Sequence, residues 1–331
     1  MLQLSTERAE RIFQEMKRVR IAVIGDLMLD RYLWGNVERI SPEAPVPIVD
    51  YKGESANLGG AANVAANVGA LGAEVLLFGV VGEDLEAGQL RDLILKNRFG
   101  DSGVVAVPNR PTSVKTRIIA NNQHVVRIDR EAVEELDSDI QRELLFRFQQ
   151  ALEGMNGVIL EDYNKGVLTP SLIQEIIRAC HQARVPIGVD PKHQNFWAYK
   201  GATLFKPNLK EIEGALGRQL RNDEALTRGG EELMEQLALK YLLVTRGEHG
   251  MALFHNRKVD FIPTRAQRVH DVSGAGDTVI ATALTALAGG ATIAEAALMA
   301  NHAAGIVIAE VGAVPVDAEE LRRACLRNAE L

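Results

Sequence analysis

The hydrophobic positions along the chain fall into short apolar runs that alternate with longer amphipathic segments. The run from Arg20 to Asp26 is typical of a buried parallel strand, because it is apolar for most of its length and ends in Gly-Asp. Further apolar runs of this kind occur at 74–79, 157–161, 186–190, 202–205 and 241–245. The segments between the runs have apolar residues at helical spacing, at 59–71, 85–96, 138–152, 170–184 and 223–239.

This alternation predicts an α/β fold with a doubly wound, mostly parallel sheet that helices cover on both faces. Ligands of such sheets bind beyond the carboxyl ends of the strands. The length of 331 residues allows either two domains or one large domain. Since no linker, repeat or low-complexity segment divides the chain, we expect a single domain over residues 1–331.

Two stretches depart from the alternation. Residues 31–51 contain Pro42, Pro45 and Pro47, which argue against a helix and favour short edge strands and turns. Residues 112–129 alternate apolar and polar positions around Asn121-Asn122, as in a hairpin with a polar tip. Together the stretches predict either a small β lid outside the main sheet, which could also be an oligomer contact, or two separate surface hairpins.

Composition narrows the class of protein. The chain is 47% hydrophobic and 24% charged, which is ordinary for a globular domain, and its net charge of −7 argues against a general nucleic-acid or membrane binder. No apolar run approaches the ~18 residues of a membrane span. Cys180 and Cys325 provide neither a disulfide framework nor a cysteine-rich metal site. We expect a cytoplasmic protein with reduced thiols.

The segment from Asp271 to Asp277 carries the strongest chemical signal. Gly274, Ala275 and Gly276 lie between the two aspartates, directly before an alanine-rich helical run. Free N–H groups and the helix dipole at such an N-terminus favour a phosphoryl group. Asp277 would then be placed to take a proton from an attacking hydroxyl. A glycine turn with an aspartate cap is the alternative interpretation.

Two further motifs have both a chemical and a structural interpretation. Gly59-Gly60 with Asn63 could let a ligand approach the backbone and bind its hydroxyl, or could be a tight helix-packing turn. Asn208 with Glu211 could hold Mg²⁺ through water, or could cap the helix that begins there.

Other candidates lie where predicted strands end. The Thr245-Arg246-Gly247 turn could contact a nucleotide or be a plain hairpin turn. Asp26, the 161–166 turn and Asp190-Pro191-Lys192 could be caps and ion pairs singly, but together they surround the sheet edge where Asp277 is expected. No spacing of serine, cysteine or histidine supports a hydrolytic nucleophile or a zinc site.

In this order, these motifs resemble the ribokinase, or PfkB, family of sugar kinases over nearly the whole chain. The resemblance implies ATP-dependent transfer of the γ-phosphoryl group to a sugar hydroxyl, with Asp277 as base and the 274–276 amides as anion hole. It also implies Mg²⁺ near Asn208 and Glu211, and a nucleotide near Thr245, Gly247 and Asn301. The implied sugar contacts are Asp26, Gly59, Gly60 and Asn63.

Residues 30–47, 161–166 and 190–192 more closely resemble the heptose 7-phosphate kinases of this family. This resemblance implies phosphorylation of the anomeric hydroxyl of D-glycero-β-D-manno-heptose 7-phosphate, for ADP-heptose and lipopolysaccharide core synthesis. Such kinases are often joined to an adenylyltransferase, whose His-x-Gly-His motif the chain lacks, so only kinase activity is expected. A kinase for another sugar or phosphosugar, or a catalytically silent sugar-phosphate-binding homologue, is the alternative.

A phosphorylated substrate requires cations in this acidic protein. The candidates for its phosphate, each of which could instead be a solvated surface charge, are Lys115, Arg117, Arg127, Lys165 and Lys192, beside Asp190. The resemblance further implies a homodimer through the lid strands and a monovalent cation, such as K⁺, near Asp271 and Ser273. The chain has Val272 where many family members have threonine, so that hydroxyl is missing.

Overall fold

The computed structural model of the chain describes residues 4–121, 123–265, 269–310 and 312–327. The strands in these residues are β1 (Arg20–Gly25), β2 (Leu27–Ile40), β3 (Pro47–Gly60), β4 (Glu74–Val81), β5 (Gly100–Ala106), β6 (Ser113–Ala120), β7 (Gln123–Arg130), β8 (Gly157–Glu161), β9 (Ile187–Asp190), β10 (Leu204–Phe205), β11 (Tyr241–Thr245), β12 (Met251–His255) and β13 (Lys258–Ile262). The α-helices are α1 (Thr6–Met16), α2 (Ala61–Ala70), α3 (Leu85–Lys96), α4 (Ser138–Ala151), α5 (Pro170–Ala183), α6 (Leu209–Leu216), α7 (Asp223–Gln236), α8 (Ala275–Ala288), α9 (Ile293–Val307) and α10 (Ala318–Arg327).

The main sheet has nine strands in the order β13-β12-β11-β10-β9-β8-β1-β4-β5. All neighbours are parallel except β11 with β12 and β12 with β13. Because side chains alternate along a strand, Ile21 and Val23 of β1 join the apolar core on one face, while Ala22 and Ile24 join the core on the other. Helices α1–α3 and α8–α10 cover the first face, and α4–α7 cover the second. The predicted doubly wound architecture is therefore confirmed.

The 31–51 and 112–129 stretches belong to one four-stranded sheet in the order β3-β2-β6-β7. It joins the two predicted hairpins, since β2 pairs with β3 on one side and with β6 on the other. β2 and β3 have 14 residues each, so this lid sheet is longer than the proline-rich stretch predicts. The first four residues of β2 and the last three of β3 are buried, and Leu27, Leu29 and Leu58 among them pack in the core of the main domain. Of the expected hairpin tip Asn121-Asn122, Asn121 is a turn residue between β6 and β7, and Asn122 lies outside the described residues.

Helix α2 begins at Ala61, two residues later than the predicted segment, because Gly59 and Gly60 end β3. Gly60 has a φ of 56°, in the left-handed region that favours glycine, and a Cβ there would lie 2.3 Å from the carbonyl oxygen of Asp26. The close approach of β3 to the end of β1 therefore requires this glycine. β5 has no counterpart among the predicted strands, because its sequence mixes polar residues and glycine with a short apolar run.

Cys180 and Cys325 are free, buried thiols in the two opposite cores, as predicted. Among the described helices, none combines the length and apolar character needed to cross a bilayer.

Candidate active site

Asp277 lies in the first turn of α8, which begins at Ala275 after Gly274 in the left-handed conformation. The carboxylate is buried and accepts one hydrogen bond at each oxygen. Asn63 Nδ2 donates to Oδ2 at 2.7 Å, and the Tyr163 hydroxyl donates to Oδ1 at 2.9 Å. Burial raises the pKa of Asp277 to about 6, although the hydrogen bond from Asn63 lowers it. A carboxylate with this pKa is suited to accept a proton near neutral pH.

The glycines before Asp277 let the start of α8 pass close to other polar groups. A Cβ on Gly274 would lie 3.0 Å from Asn63 Nδ2, and one on Gly276 would lie 3.1 Å from Lys206 Nζ. The sequence predicts that the Ala275 N–H is free. In the structure it donates to the Val272 carbonyl at 3.3 Å, in the turn that starts the helix. Ala275 is therefore a poorer phosphoryl donor than predicted.

Two strand-end carboxylates lie beside the predicted base. Glu161 ends β8 and Asp190 ends β9, and an oxygen from each lies within 4.8 Å of an Asp277 oxygen and of the other. Lys206, which follows β10, pairs with Asp190 at 2.8 Å, and both side chains are 3% exposed. Both oxygens of Glu161 and Oδ1 of Asp190 accept no hydrogen bond from the described residues. Burial raises the pKa of Glu161 well above its usual value, and Asp190 adds to the rise.

Asn208 and Glu211 form a reciprocal capping box at the start of α6. Asn208 Oδ1 accepts from the Glu211 N–H at 2.9 Å, and Glu211 Oε2 accepts from the Asn208 N–H at 2.8 Å. Lys192 Nζ lies 3.2 Å from Glu211 Oε1. The structure thus shows the capping interpretation of these residues, and a role at Mg²⁺ remains a prediction.

The predicted nucleotide contacts lie at separate places along the sheet edge. Thr245 ends β11 and forms a bridge with Asn208, so these two candidates are neighbours. Gly247 has a φ of 59° and starts a short 3₁₀ helix. Asn301 is buried in α9, and its Nδ2 donates to the Pro263 carbonyl at 2.8 Å, which ties α9 to the segment after β13.

Asp271 holds the loop before α8. Its Oδ1 accepts from the Ser273 N–H at 2.9 Å, and its Oδ2 accepts from the Gly312 N–H at 3.0 Å. These bonds hold the pKa of Asp271 below its usual value, although burial acts to raise it. Asp271 is thus an ionised carboxylate in a loop close to the start of α8.

Asp26 anchors a turn, although the sequence resemblance implies a sugar contact. Its Oδ2 accepts from the N–H groups of Tyr163 at 2.7 Å and Lys165 at 3.1 Å, and its Oδ1 accepts from the Val167 N–H at 3.3 Å. Burial and, to a smaller extent, the nearby Asp162 raise the pKa of Asp26 to about 6. The observed contacts assign Asp26 to the turn after β8.

Asp30 of β2 lies beside the glycine pair predicted to bind sugar. A Cβ on Gly59 would lie 2.7 Å from Asp30 Oδ2, so the absence of a side chain at Gly59 makes room for this carboxylate. Arg117 pairs with Asp30, and its guanidinium carbon lies 5.5 Å from the centre of the Tyr32 ring. Asp30 is therefore a polar group at the base of the lid that the site prediction omits.

All five predicted phosphate-binding cations already have carboxylate partners. Lys115 pairs with Asp129 at 3.3 Å and with Glu131 at 3.2 Å, and Lys165 also pairs with Glu131, at 2.6 Å. The remaining pairs are Arg127 with Asp129, Arg117 with Asp30, and Lys192 with Glu211. A substrate phosphate would share these cations with their carboxylates or replace one of them, so a role for any of the five remains a prediction.

The predicted site residues include none of Glu161, Tyr163, Lys206 and Asp30, although the sequence places the 161–166 turn at this sheet edge as a whole. Glu161 carries a recognisable signal of its own, because it ends an apolar run as Asp26 and Asp190 do. The individual roles of Tyr163 and Lys206 could not be assigned, since their contacts depend on which strands are neighbours in the sheet.

Solved structures with the same overall fold indicate the class of protein. Phosphofructokinase-2 from Escherichia coli in complex with potassium superposes with a TM-score of 0.77 at 18% identity, over 94% of this chain and 99% of that one. Arabidopsis thaliana ribokinase complexed with ribose and ATP superposes with a TM-score of 0.71 at 21% identity, over 95% and 99%. The fold is thus that of the ribokinase-like sugar kinases. The model of the pfkB family carbohydrate kinases matches residues 18–320, and the chain belongs to this family.

Other relatives have a higher sequence identity to this chain than the proteins of these two solved structures. The bifunctional protein HldE of Geobacter sulfurreducens is 44% identical over 319 residues, which cover 96% of this chain and 65% of that protein. The bifunctional protein HldE of Nitratiruptor sp. is 46% identical over 305 residues, which cover 91% and 64%. The chain therefore spans about two thirds of the length of these relatives.

Proposed function

We propose that the protein transfers the γ-phosphoryl group of ATP to the anomeric hydroxyl of D-glycero-β-D-manno-heptose 7-phosphate. The observation that carries the proposal is the buried Asp277 carboxylate at the N-terminus of α8, held at both oxygens beside two glycines. The choice of sugar rests on the 30–47, 161–166 and 190–192 motifs and on 44% identity with a protein named HldE.

The reaction requires a base and a positively polarised site for the phosphoryl group. The oxygen of the sugar hydroxyl bonds to the γ-phosphorus, and Asp277 takes the proton of that hydroxyl. The bond from the γ-phosphorus to the β–γ bridging oxygen breaks, and its electron pair leaves with ADP. The N-terminus of α8 favours the negative charge that develops on the phosphoryl oxygens. Asn63 and Tyr163 hold the base in place during this step.

Kinases of this class use Mg²⁺ with ATP, and the ion would neutralise phosphate charge when bound. Two pairs of residues could hold it: the strand-end carboxylates Glu161 and Asp190, and the predicted pair Asn208 and Glu211. Glu161 and Asp190 offer buried oxygens without hydrogen-bond partners, which is the donor type that Mg²⁺ prefers. Asn208 and Glu211 have their facing oxygens in the capping box. We therefore propose that Glu161 and Asp190 are the principal Mg²⁺ ligands, with Glu211 nearby.

We also propose a K⁺ site beside Asp271 and Ser273. Support comes from the ionised Asp271 carboxylate in the loop that precedes the anion-binding helix terminus. The similar phosphofructokinase-2 was solved in complex with potassium.

A second copy of the chain is the proposed partner, bound through the lid. Leu33, Ile118 and Val126 are register partners across β2, β6 and β7, so they share one face of the lid sheet. Every residue of β7 is exposed in the single chain, and Ile128 on the same face is 55% exposed. Since an apolar row on an exposed sheet marks a contact surface, a homodimer through this face is the assembly we expect.

An ADP-release assay tests the proposed reaction. We expect the highest kcat/KM with heptose 7-phosphate and much lower values with fructose phosphates, ribose and adenosine. Asp277→Asn should lower kcat by about 10²–10⁴-fold with both substrates still bound, because the amide cannot take the proton. Preference for another sugar would overturn the substrate assignment, and near-normal turnover of Asp277→Asn would overturn the role of the base.

A further inference from the structure

Tyr163 contacts the proposed base from the turn that follows β8. Its hydroxyl donates to Asp277 Oδ1 at 2.9 Å, while Asn63 donates to Oδ2 at 2.7 Å. Each carboxylate oxygen can accept two hydrogen bonds, so each retains one position for a substrate hydroxyl. We propose that Tyr163 is a positioning residue, whose hydroxyl fixes the orientation in which Asp277 meets the sugar. This inference rests on the proposed kinase function.

Two buried aspartates hold the backbone of Tyr163. Asp26 Oδ2 accepts from the Tyr163 N–H at 2.7 Å, and Asp162 Oδ1 accepts from the Asn164 N–H at 2.7 Å. Asp162 is itself held by the Tyr199 hydroxyl at 2.6 Å. Carboxylates that accept backbone N–H groups form strong, directional bonds, so the turn is fixed in place. Tyr163 therefore presents its hydroxyl from a rigid support.

The ring of Tyr163 is also held on its face. Lys192 Nζ lies 5.1 Å from the ring centre, within the range of a cation–π contact. The same ammonium group lies 3.2 Å from Glu211 Oε1 in the capping box of α6. Tyr163 thus contacts the base Asp277 through its hydroxyl, and it contacts Lys192, the partner of Glu211, through its ring.

Loss of the Tyr163 hydroxyl would leave Asp277 with a single side-chain donor, Asn63 Nδ2 at Oδ2. A carboxylate held at one oxygen can turn about its Cβ–Cγ bond, so it would face the sugar hydroxyl in a smaller fraction of the bound complexes. The rate of phosphoryl transfer should therefore fall while both substrates still bind.

Tyr163→Phe tests the inference, with Tyr241→Phe as the control. The control also removes a tyrosine hydroxyl, but at the start of β11, at the opposite end of that strand from Thr245. We expect kcat of Tyr163→Phe to fall roughly tenfold, with KM for ATP and for the sugar phosphate little changed. Tyr241→Phe should keep the wild-type kcat and KM.

A second variant keeps the donor. Site-specific 3,5-difluorotyrosine at position 163 keeps the ring and the hydroxyl, so kcat should stay close to that of the wild type. An unchanged kcat in Tyr163→Phe, or an equal loss in Tyr241→Phe, would overturn the positioning role while leaving the kinase function intact. Absence of phosphoryl transfer in the wild-type protein would overturn the proposed function instead.

Discussion

Lys206 is the buried cation that partly neutralises the carboxylates around Asp277. It pairs with Asp190, and Glu161 and Asp277 lie within the same cluster. Three carboxylates so close together would repel one another strongly without a positive charge among them. The sequence motif Lys206-Pro207-Asn208 places this lysine between β10 and α6, where the strand order brings it beside β9.

Lys206→Met should destabilise the protein, by about 3 kcal/mol, since it leaves buried acids without their cation. The loss should be larger at about pH 8 than at about pH 5. Burial already raises the folded-state pKa of Asp277 to about 6 and that of Glu161 well above its usual value. The stability associated with these groups is therefore present below the unfolded-state pKa of about 4 and is lost as pH rises through the folded-state values. Urea unfolding at both pH values measures this difference. Exposed Lys210→Met is the control, and a loss independent of pH would contradict the explanation.

Individual residues of the site were predictable where a local sequence pattern defines them. Asp277 and Asn63 follow glycines at helix starts, and the structure brings them into contact. The role of Asn208 could not be decided, because capping and metal binding use the same side-chain oxygens. The phosphate-binding cations were selected by charge alone, and carboxylates that lie beside them in the fold, such as Asp129 and Glu131, neutralise them.

At the scale of elements, apolar runs predict the central strands well. β8 and β11 have the predicted bounds, and so does α3, because each is delimited by a clear change from apolar to polar or turn residues. β5 lacks such a pattern. The lengths of β2 and β3 also could not be predicted, since they depend on pairing between strands: β2 pairs with β6 only from Met28 to Gly35, and the outer parts of β2 and β3 pair with each other alone.

Glu161 at the end of β8 and Glu211 in α6 are alternative ligands for the divalent cation, and matched variants distinguish between them. Glu211→Gln keeps an acceptor for the Asn208 N–H, so α6 should stay capped. Glu161→Gln removes the unpartnered carboxylate at the end of β8. We expect Mn²⁺ affinity, measured by electron paramagnetic resonance with a non-hydrolysable ATP analogue, to fall about tenfold or more in Glu161→Gln and little in Glu211→Gln. The reverse result would return the site to Asn208 and Glu211.

At the scale of the whole molecule, the main sheet and the lid sheet meet at the end of β1. Asp26 joins β1 to β2, and Gly60 at the end of β3 lies close to the Asp26 carbonyl oxygen. The lid therefore extends from the same sheet edge that carries Asp277. The proposed dimer contact on the lid would also hold Asp30 and Arg117 at the base of the lid in place. Because Arg117 is a predicted phosphate-binding residue, we expect dimer formation to affect binding of the sugar phosphate.

The apolar face of the lid gives a direct test of this assembly. We expect the wild-type protein to sediment as a dimer, and Ile128→Asp to shift it toward monomer, because a carboxylate beside the apolar row of the contact face loses hydration without gaining a partner. The matched control is Leu95→Asp on α3, where an equally exposed leucine lies outside the lid. If the dimer uses the lid, Ile128→Asp should also raise KM for the sugar phosphate, since Arg117 pairs with Asp30 on the neighbouring strand. A monomeric wild-type protein, or equal dissociation of both variants, would place the contact elsewhere.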